Sequence, residues 1–549
     1  MSADDLLTPV PGTCPAPAPP TPPTPSTWAR VRPLVLRLHF CAGVLIAPFL
    51  LVAALSGTLY AATPQLEEAL YRDQLHVTPS ASRLPLAEQV QNAVDARGGA
   101  EPVAVRPAPT ASDTTRVLFS DPSSGESERT AVFVDPGTGE VRGQLTVYGT
   151  SGVLPLRTWV DQLHRDLHLG EPGRLYSELA ASWSWVLALS GVGLWVARQV
   201  GARRSATAAT TGTAGDGGPA GRRGGALRQV LAPRGGGAGA GRGGRGRTRA
   251  LHAVVGTWIA VGLLALSATG LTWSAHAGAR VSELRSALSW ETPAVDTTLP
   301  GAGHEGHTGH EGHGSAPGGD PGAPGAGGAG VAGLPTGAPA AVSPPAFAEV
   351  LATAREAGLT AGRIEVKAPA GAGAAWRVDE IDRSLRTRVD SAAVAVSTTA
   401  GGDLHGRVLD VVRFEDHPFP AKLARWGIDL HTGSFGWGNQ LALLVLGLGL
   451  SAVIVWGYRM WWQRRPDPAR RLSVGPPAHR GAWRRVPVPV LVAVVPVTLA
   501  LGWALPLLGV SLLVFLVLDV VLGLARSARS RRPGGPSSSA PASTGGSTP

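Results

Sequence analysis

An apolar run long enough to cross a membrane occurs twice in this chain, each time with a histidine near its arginine-flanked start. Residues 38–60 read LHFCAGVLIAPFLLVAALSGTLY, and residues 251–273 read LHAVVGTWIAVGLLALSATGLTW. The two runs align without a gap and pair His39 with His252, and a glycine follows each histidine at positions +4 and +18. About 20 apolar residues cross the hydrocarbon core of a bilayer. The chain is therefore predicted to cross a membrane at least twice, with an imidazole at the same depth in both spans.

Further apolar runs extend this prediction to six spans. Runs at 178–197 and 439–460 each suit one helix, and the longer run at 486–523 has Trp503 and Pro506 near its middle, which predicts a hairpin of two helices. Arginines cluster before the first span, between the second and third, after the fourth and after the sixth. Because cytoplasmic loops are enriched in Lys and Arg, both termini are predicted to be cytoplasmic. The protein is expected in the cell (cytoplasmic) membrane, in contact with the lipid bilayer.

The net charge of +10 follows from this topology, so no nucleic-acid partner is expected. The proline-rich N-terminus lacks the apolar segment of a signal peptide, and the two cysteines are too few for a thiolate metal site. The predicted order is a disordered cytoplasmic tail (1–33), a first span (34–62), a first outer segment (63–177), a second span (178–198), a Gly/Arg-rich cytoplasmic linker (199–249), a third span (250–274), a second outer segment (275–438), a fourth span (439–462), the hairpin (486–523) and a disordered tail (524–549).

Each outer segment is predicted to be a small helix-plus-strands module. In the first, LPLAEQVQNAVDARGG has a helical pattern, and TAVFVDPGTGEVRGQL alternates like two strands around a turn. In the second, PPAFAEVLATAREAGL precedes the strand-like GRIEVKAP. The predicted fold is a membrane α-helical bundle with four core helices in two tandem repeats, a C-terminal two-helix hairpin and two extracytoplasmic α+β modules.

A second repeat precedes the return spans. RDLHLGEPGRLY at 165–176 aligns with IDLHTGSFGWGN at 428–439 and pairs His168 with His431. His164 lies four residues before His168 and would share its helical face, so either of the two is the candidate partner of His431. The repeated histidines therefore fall in two layers, one at each face of the membrane.

Ionisable side chains at the ends of spans are candidates for a functional site. One interpretation is that each layer ligates one haem b through two axial imidazoles from facing helices, so that up to two haems bind. The glycine four residues after His39 and after His252 would leave room for the macrocycle. The alternative is that the histidines only reach the headgroups or form hydrogen bonds. Another metal is disfavoured because non-haem sites usually add carboxylates or cysteines.

A separate histidine-rich stretch, GHEGHTGHEGHG (303–314), lies in the second outer segment and has its histidines within 304–313. It carries histidines at every third position with two glutamates between them, and the four candidate ligands are His304, His307, His310 and His313. Imidazoles with carboxylates suit divalent zinc, copper or nickel. The high glycine content also fits a solvated linker with incidental metal affinity, so both interpretations stay open.

These motifs together resemble the PepSY-associated transmembrane proteins. The resemblance covers about residues 34–525 and rests on the two histidine-led runs, on LHRDLHLGEPGRLYSELAASWSWVLALSGVGLWVAR, on WGIDLHTGSFGWGNQLALLVLGLGLSAVIVWGYRMWW and on VFVDPGTGEV, which looks like the closing hairpin of a PepSY domain. Members of this architecture include inner-membrane reductases of ferric siderophores that bind haem b through membrane histidines. The resemblance extends the candidacy as haem ligands to His39, His164 or His168, His252 and His431. The second outer module departs from the pattern, since it lacks a D-P-x-T-G turn and carries the long histidine-containing insertion.

Two classes of function follow as hypotheses. In the first, the protein is an oxidoreductase that carries electrons across the membrane to an extracytoplasmic ferric chelate. No flavin or nicotinamide motif is evident, so the donor would be a quinol or a separate reductase. In the second, it is a non-redox, membrane-anchored module that binds a metal, a ligand or a peptidase, and the histidines only position helices. A transporter finds support only in the repeat, which runs parallel and lacks broken helices.

Overall fold

The computed structural model describes residues 26–211, 244–300, 341–464 and 484–530, apart from short gaps at 122–124, 126, 150, 372, 385–386, 388, 400–401 and 485. The histidine-rich stretch at 304–313 lies outside the described residues. The helices are α1 Thr27–Leu45, α2 Ala47–Leu70, α3 Arg72–Leu75, α4 Leu86–Ala96, α5 Pro155–Asp166, α6 Glu171–Thr211, α7 Gly244–Leu271, α8 His276–Ala287, α9 Pro344–Glu356, α10 Phe419–Thr432, α11 Trp437–Trp462, α12 Val488–Ala504 and α13 Pro506–Ser530. The strands are β1 Pro102–Arg106, β2 Thr115–Phe119, β3 Glu128–Val134, β4 Val141–Tyr148, β5 Ile364–Lys367, β6 Trp376–Glu380, β7 Ser391–Thr398 and β8 Leu404–Val412.

Five helices in the described part of the chain are long and apolar enough to cross a membrane: Ala47–Leu70, Glu171–Arg204, Arg245–Leu271, Trp437–Trp462 and Pro506–Ala525. The fifth predicted span, α12, has 17 residues and is shorter than the about 20 that a bilayer core requires. The hairpin does divide where predicted, because α12 ends at Ala504 and α13 begins at Pro506. The hairpin contacts the bundle through an Arg37–Asp519 ion pair and a 2.8 Å hydrogen bond from Trp183 Nε1 to Ser511 Oγ.

The first predicted span, 34–62, is two helices rather than one. The chain breaks at Ile46, between α1 and α2, because Pro48 has no N–H to donate to the carbonyl of Val44 one turn earlier. The hydroxyl of Tyr458 on α11 donates to that carbonyl instead, at 2.8 Å. Helices also extend into the predicted tails and linker. In the tails, α1 begins at Thr27 and α13 continues to Ser530, and in the linker α6 continues to Thr211 and α7 begins at Gly244.

The two outer modules share a single antiparallel sheet of eight strands, in the order β4-β3-β2-β1-β5-β6-β7-β8. The modules meet where β1 pairs with β5, with Ala104 opposite Lys367 and Val105 opposite Val366. Helices α4 and α9 cover one face of this sheet in one hydrophobic core, whose fully buried members include Val90, Val105, Phe347 and Val366. The sequence predicts two separate modules, whereas the structure buries their apolar faces together.

Candidate functional site

His39 on α1 and His252 on α7 face each other, with ring centroids 6.4 Å apart and ring planes at 83°. We call them the distal pair, because they lie at the end of the bundle away from the sheet. The Nδ1 atom of His39 lies 2.8 Å from Ser190 Oγ, and that of His252 lies 2.9 Å from the carbonyl oxygen of Val453. Each ring is therefore held from a neighbouring helix, α6 or α11, through its Nδ1 atom.

His164 on α5 and His431 on α10 form a second pair, the sheet-side pair, with centroids again 6.4 Å apart and planes at 64°. The Nδ1 atom of His164 lies 2.9 Å from Ser56 Oγ on α2, and that of His431 lies 2.8 Å from Thr269 Oγ1 on α7. Burial lowers the pKa of both histidines. Both rings are therefore neutral at pH 7 and keep one nitrogen lone pair.

The partners of the four rings determine which nitrogen carries the proton. A backbone carbonyl only accepts, so His252 must donate from Nδ1 to Val453. The hydroxyls of Ser56 and Thr269 already donate to backbone carbonyls of their own helices, at 2.7 and 2.9 Å, so they accept from the histidines. Ser190 likewise donates to the carbonyl of Val186. In all four rings Nε2 is thus the nitrogen with a free lone pair, which is the state of a metal-binding imidazole.

The structure distinguishes His164 from His168. Helix α5 ends at Asp166, and both Leu167 and His168 have positive φ angles of 58° and 56°, so the chain turns away before His168. His168 is exposed, and its ring lies 5.0 Å from that of Trp159. In the second half α10 continues through Thr432, so His431 is still helical and faces the bundle. The aligned D-L-H-x-G motifs therefore occupy different phases of their helices, and His164 is the residue opposite His431.

Each ring of the two pairs also packs against a glycine. A Cβ atom added to these glycines would lie 3.1 to 3.6 Å from Cε1 of the adjacent histidine, for the contacts Gly57–His164, Gly191–His39, Gly270–His431 and Gly457–His252. In contrast, the glycines at +4, Gly43 and Gly256, would meet Leu187 and Val453 at ordinary contact distances of 3.9 and 3.8 Å. Of the glycines that the sequence repeat pairs, those at +18, Gly57 and Gly270, are therefore the ones that touch imidazoles.

The two pairs lie far apart along the bundle. His252 and Thr269, which bonds His431, are both on α7 and are separated by 17 residues. At 1.5 Å per residue this separation is about 25 Å along the helix axis. The distance is close to the about 30 Å of bilayer hydrocarbon, so the two pairs are separated by nearly the thickness of a bilayer core.

Each pair offers two nitrogen donors and little else. Among the described residues, no group of three or more His, Cys, Asp or Glu side chains could hold a metal ion. Metal–imidazole bonds are about 2 Å long, so a metal between two rings would place their centroids about 6 Å apart, as in both pairs. Two ligands do not fill the coordination sphere of a lone ion. The donor set therefore suits a group that supplies the remaining ligands itself.

Sequence reasoning missed the residues that orient the rings. The signal was present for two of them, because Ser56 and Thr269 both follow their run's histidine by 17 positions. Ser190 and Val453 also correspond in the second repeat, 263 positions apart, but a serine hydroxyl and a valine backbone carbonyl share no side-chain signature. Only the contacts show that both accept a hydrogen bond from the Nδ1 atom of a histidine.

The fold and the paired histidines define an integral membrane protein built from two span–module–span halves that share one sheet. The family model of the PepSY-associated TM region matches residues 36–464. The chain belongs to this family, as its motifs predicted. The match ends before the hairpin of α12 and α13. No curated protein matches the chain.

Proposed function

We propose that this protein binds haem b at both histidine pairs and carries electrons across the cytoplasmic membrane to an extracytoplasmic ferric chelate, in the uptake of siderophore-bound iron. The carrying observation is the recurrence of one arrangement at two depths. Each time, two imidazoles face each other at 6.4 Å with Nδ1 hydrogen-bonded to a neighbouring helix.

His39 and His252 would hold one haem, and His164 and His431 the other. Haem b, when bound, supplies one-electron redox chemistry whose potential the axial ligands and their hydrogen bonds adjust. The chain's own part is to keep Nε2 available, through the acceptors on Nδ1, and to leave space beside each ring with a glycine. The hydrogen-bond acceptor on Nδ1 would make each imidazole a stronger electron donor to iron. These acceptors are Ser56, Thr269, Ser190 and the Val453 carbonyl.

The direction of transfer rests on topology. Arginines flank the distal pair, which supports a cytoplasmic position for that pair by the positive-inside rule and an extracytoplasmic position for the sheet. A quinol or a separate reductase would deliver electrons at the distal side. One electron reduces one ferric ion to ferrous iron, so a quinol, which releases two electrons and two protons, would serve two chelates.

The test is a reduced-minus-oxidised absorption spectrum of the purified protein with quantified haem content. We expect two haems b per chain, about half of which is lost in His252→Ala and about half in His164→Ala. The matched control is His168→Ala, which removes an exposed ring in the same motif and should keep the full haem content. Absence of haem from the wild-type protein would refute the proposal. Equal loss in His164→Ala and His168→Ala would refute the ligand assignment.

A second readout separates redox function from the non-redox alternative. Ferric-chelate reduction by the reduced protein should fail in His252→Ala and in His431→Ala. If both variants support wild-type function in cells, the histidines only position helices and the outer modules alone carry the activity.

A further inference from the structure

The face of the sheet opposite α4 and α9 is strongly charged where the two modules meet. Val105, Val117 and Ile364 belong to the covered core. Because neighbouring strand residues point to opposite faces, Arg106, Arg116, Arg363 and Glu365 lie on the other face. Arg106 and Glu365 form a buried ion pair at 2.9 Å across the β1–β5 junction. This face is near the spans, since Glu67 on α2 acts electrostatically on Arg116.

Further arginines, on the helices that follow each module and on the β6–β7 connection, lie near this charged face of the sheet. Arg157 on α5 pairs with Glu67 at 2.6 Å, and Arg425 on α10 pairs with Asp429 at 2.9 Å. Arg383, between β6 and β7, approaches Asp429 at 3.8 Å and is within electrostatic range of Arg157 and Arg425. We call the set the arginine cluster; it consists of Arg116, Arg157, Arg363, Arg383 and Arg425.

The cluster has more cationic groups than carboxylates to pair with them. Glu67 and Asp429 are the carboxylates that form its ion pairs, and Asp161, on the same side, pairs with Arg165 instead. Burial, together with the charges of Arg106 and Arg363, lowers the pKa of Arg116 to about 10. Arg116 is still charged at pH 7, and the carboxylates that act on it are Glu67 and Asp113.

Three polar side chains in or beside the arginine cluster form no side-chain hydrogen bond or ion pair among the described residues. Within the described residues, the guanidinium groups of Arg116 and Arg363 make no hydrogen bond or ion pair, and Arg116 only lies over the ring of Phe133, 5.4 Å from its centroid. The hydroxyl of Tyr60 on α2, near Arg157 and Arg383, likewise forms no hydrogen bond in this part of the chain. An arginine offers five N–H donors, so the guanidinium groups of the half-buried Arg116 and the exposed Arg363 are available to acceptors on a ligand. The region is therefore prepared for an acceptor-rich, negatively charged ligand.

The cluster lies directly on the sheet side of His164 and His431. Arg157 precedes His164 by seven residues on α5, and Arg425 precedes His431 by six on α10. At 1.5 Å per residue, both arginines are about 10 Å along their helices from the paired rings. Tyr60 is one turn beyond Ser56, which bonds His164. A ligand in the cluster would thus contact both modules and lie within about 10 Å of the sheet-side pair.

We propose that the arginine cluster binds the anionic face of a ferric chelate whose ligands carry carboxylates, such as a ferric polycarboxylate. This inference rests on the proposed function only for the reduction of the bound iron, and binding of the chelate does not depend on it. Planar guanidinium groups bind carboxylates through two parallel hydrogen bonds. Arg383 and Arg116, from opposite modules, contact the chelate, and the Tyr60 hydroxyl donates a further hydrogen bond. A cationic chelate is rejected by the same charges.

The test uses gallium(III) citrate, which has the charge of ferric citrate but accepts no electron under these conditions. Titration calorimetry on the full-length detergent-solubilised protein should detect its binding, weakened by added salt. Arg383→Gln and Arg116→Gln should each reduce the affinity about tenfold or more. Arg280→Gln, which alters a half-exposed arginine paired with Glu283 on α8, should leave the affinity unchanged. Thermal unfolding of each variant verifies that the fold is retained.

The outcomes distinguish this inference from the proposed function. Gallium citrate binding that depends on the arginines and persists in His164→Ala supports the inference, even if the protein proves to hold no haem. Binding that is absent in the wild-type protein overturns it, as does binding that is equal in Arg383→Gln and Arg280→Gln. Equal affinity for a cationic gallium hydroxamate overturns it as well. Haem content and chelate reduction can remain intact in either case, so a failure here leaves the proposed function standing.

Discussion

Gly57→Ala is the substitution for which the structure makes the sharpest prediction. The added methyl group would lie 3.1 Å from Cε1 and 3.5 Å from Nδ1 of His164. Carbon atoms normally approach to about 3.5–4.0 Å, so the ring must retreat by about 0.4–0.9 Å. The 2.9 Å hydrogen bond from Nδ1 to Ser56 is then stretched beyond its usual range of about 2.7–3.2 Å.

The magnitude follows from that hydrogen bond. Its loss costs about 0.5–1.5 kcal/mol, whereas replacing glycine by alanine inside a helix contributes about 1 kcal/mol of stability. The free energy of unfolding should therefore change little. The effect should instead appear at the haem proposed for the sheet-side pair. A weaker acceptor on Nδ1 makes the imidazole a poorer donor and disfavours ferric iron, so the midpoint potential should rise by about 20–60 mV.

The assay is a spectroelectrochemical titration of the purified protein, in which the two proposed haems are resolved by their potentials. Gly43→Ala is the matched control, because its methyl group would meet Leu187 at 3.9 Å without strain. Ser56→Ala removes the same hydrogen bond without a steric change and should shift the potential in the same direction. Equal potentials in wild type, Gly57→Ala and Ser56→Ala, with haem retained, would refute the reasoning.

Two further predictions concern other parts of the molecule. Gly191→Ala would place a methyl group 3.2 Å from Cε1 of His39 and should alter the potential or electron paramagnetic resonance of the haem proposed for the distal pair. Gly193→Ala, two residues further along α6 and with no atom near its added methyl group, should not. Identical spectra for both variants would contradict this. Glu365→Ala should lower the free energy of unfolding by about 3–5 kcal/mol, because it leaves Arg106 without its carboxylate partner at the β1–β5 junction. Denaturant unfolding measures this change. A loss below about 1 kcal/mol would show that the junction does not depend on the ion pair.

Much of the architecture can be predicted from local patterns in the sequence. Apolar runs of span length predict membrane helices without knowledge of any contact, because the bilayer requires that length and composition. The repeats at 38–60 and 251–273 predict a doubled design, and alternating strands predict the outer modules. The membrane family follows from the same motifs. The break at Ile46 was missed because Pro48 lies within an otherwise continuous apolar run.

Other features depend on distances between residues that are remote in sequence. The D-L-H-x-G motifs align His168 with His431, yet His164 faces His431, because the helix end at Asp166 changes the direction of the following residues. The joined sheet exists only because β1 and β5, more than 250 residues apart, pair across the modules. The sequence by itself determined that the chain crosses a membrane and that histidines recur at two depths, since length, polarity and repetition are local properties. The tertiary structure alone decided which rings face each other, which acceptor bonds each Nδ1 and which arginines lie on the sheet side of His164 and His431. These features depend on helix phase and packing.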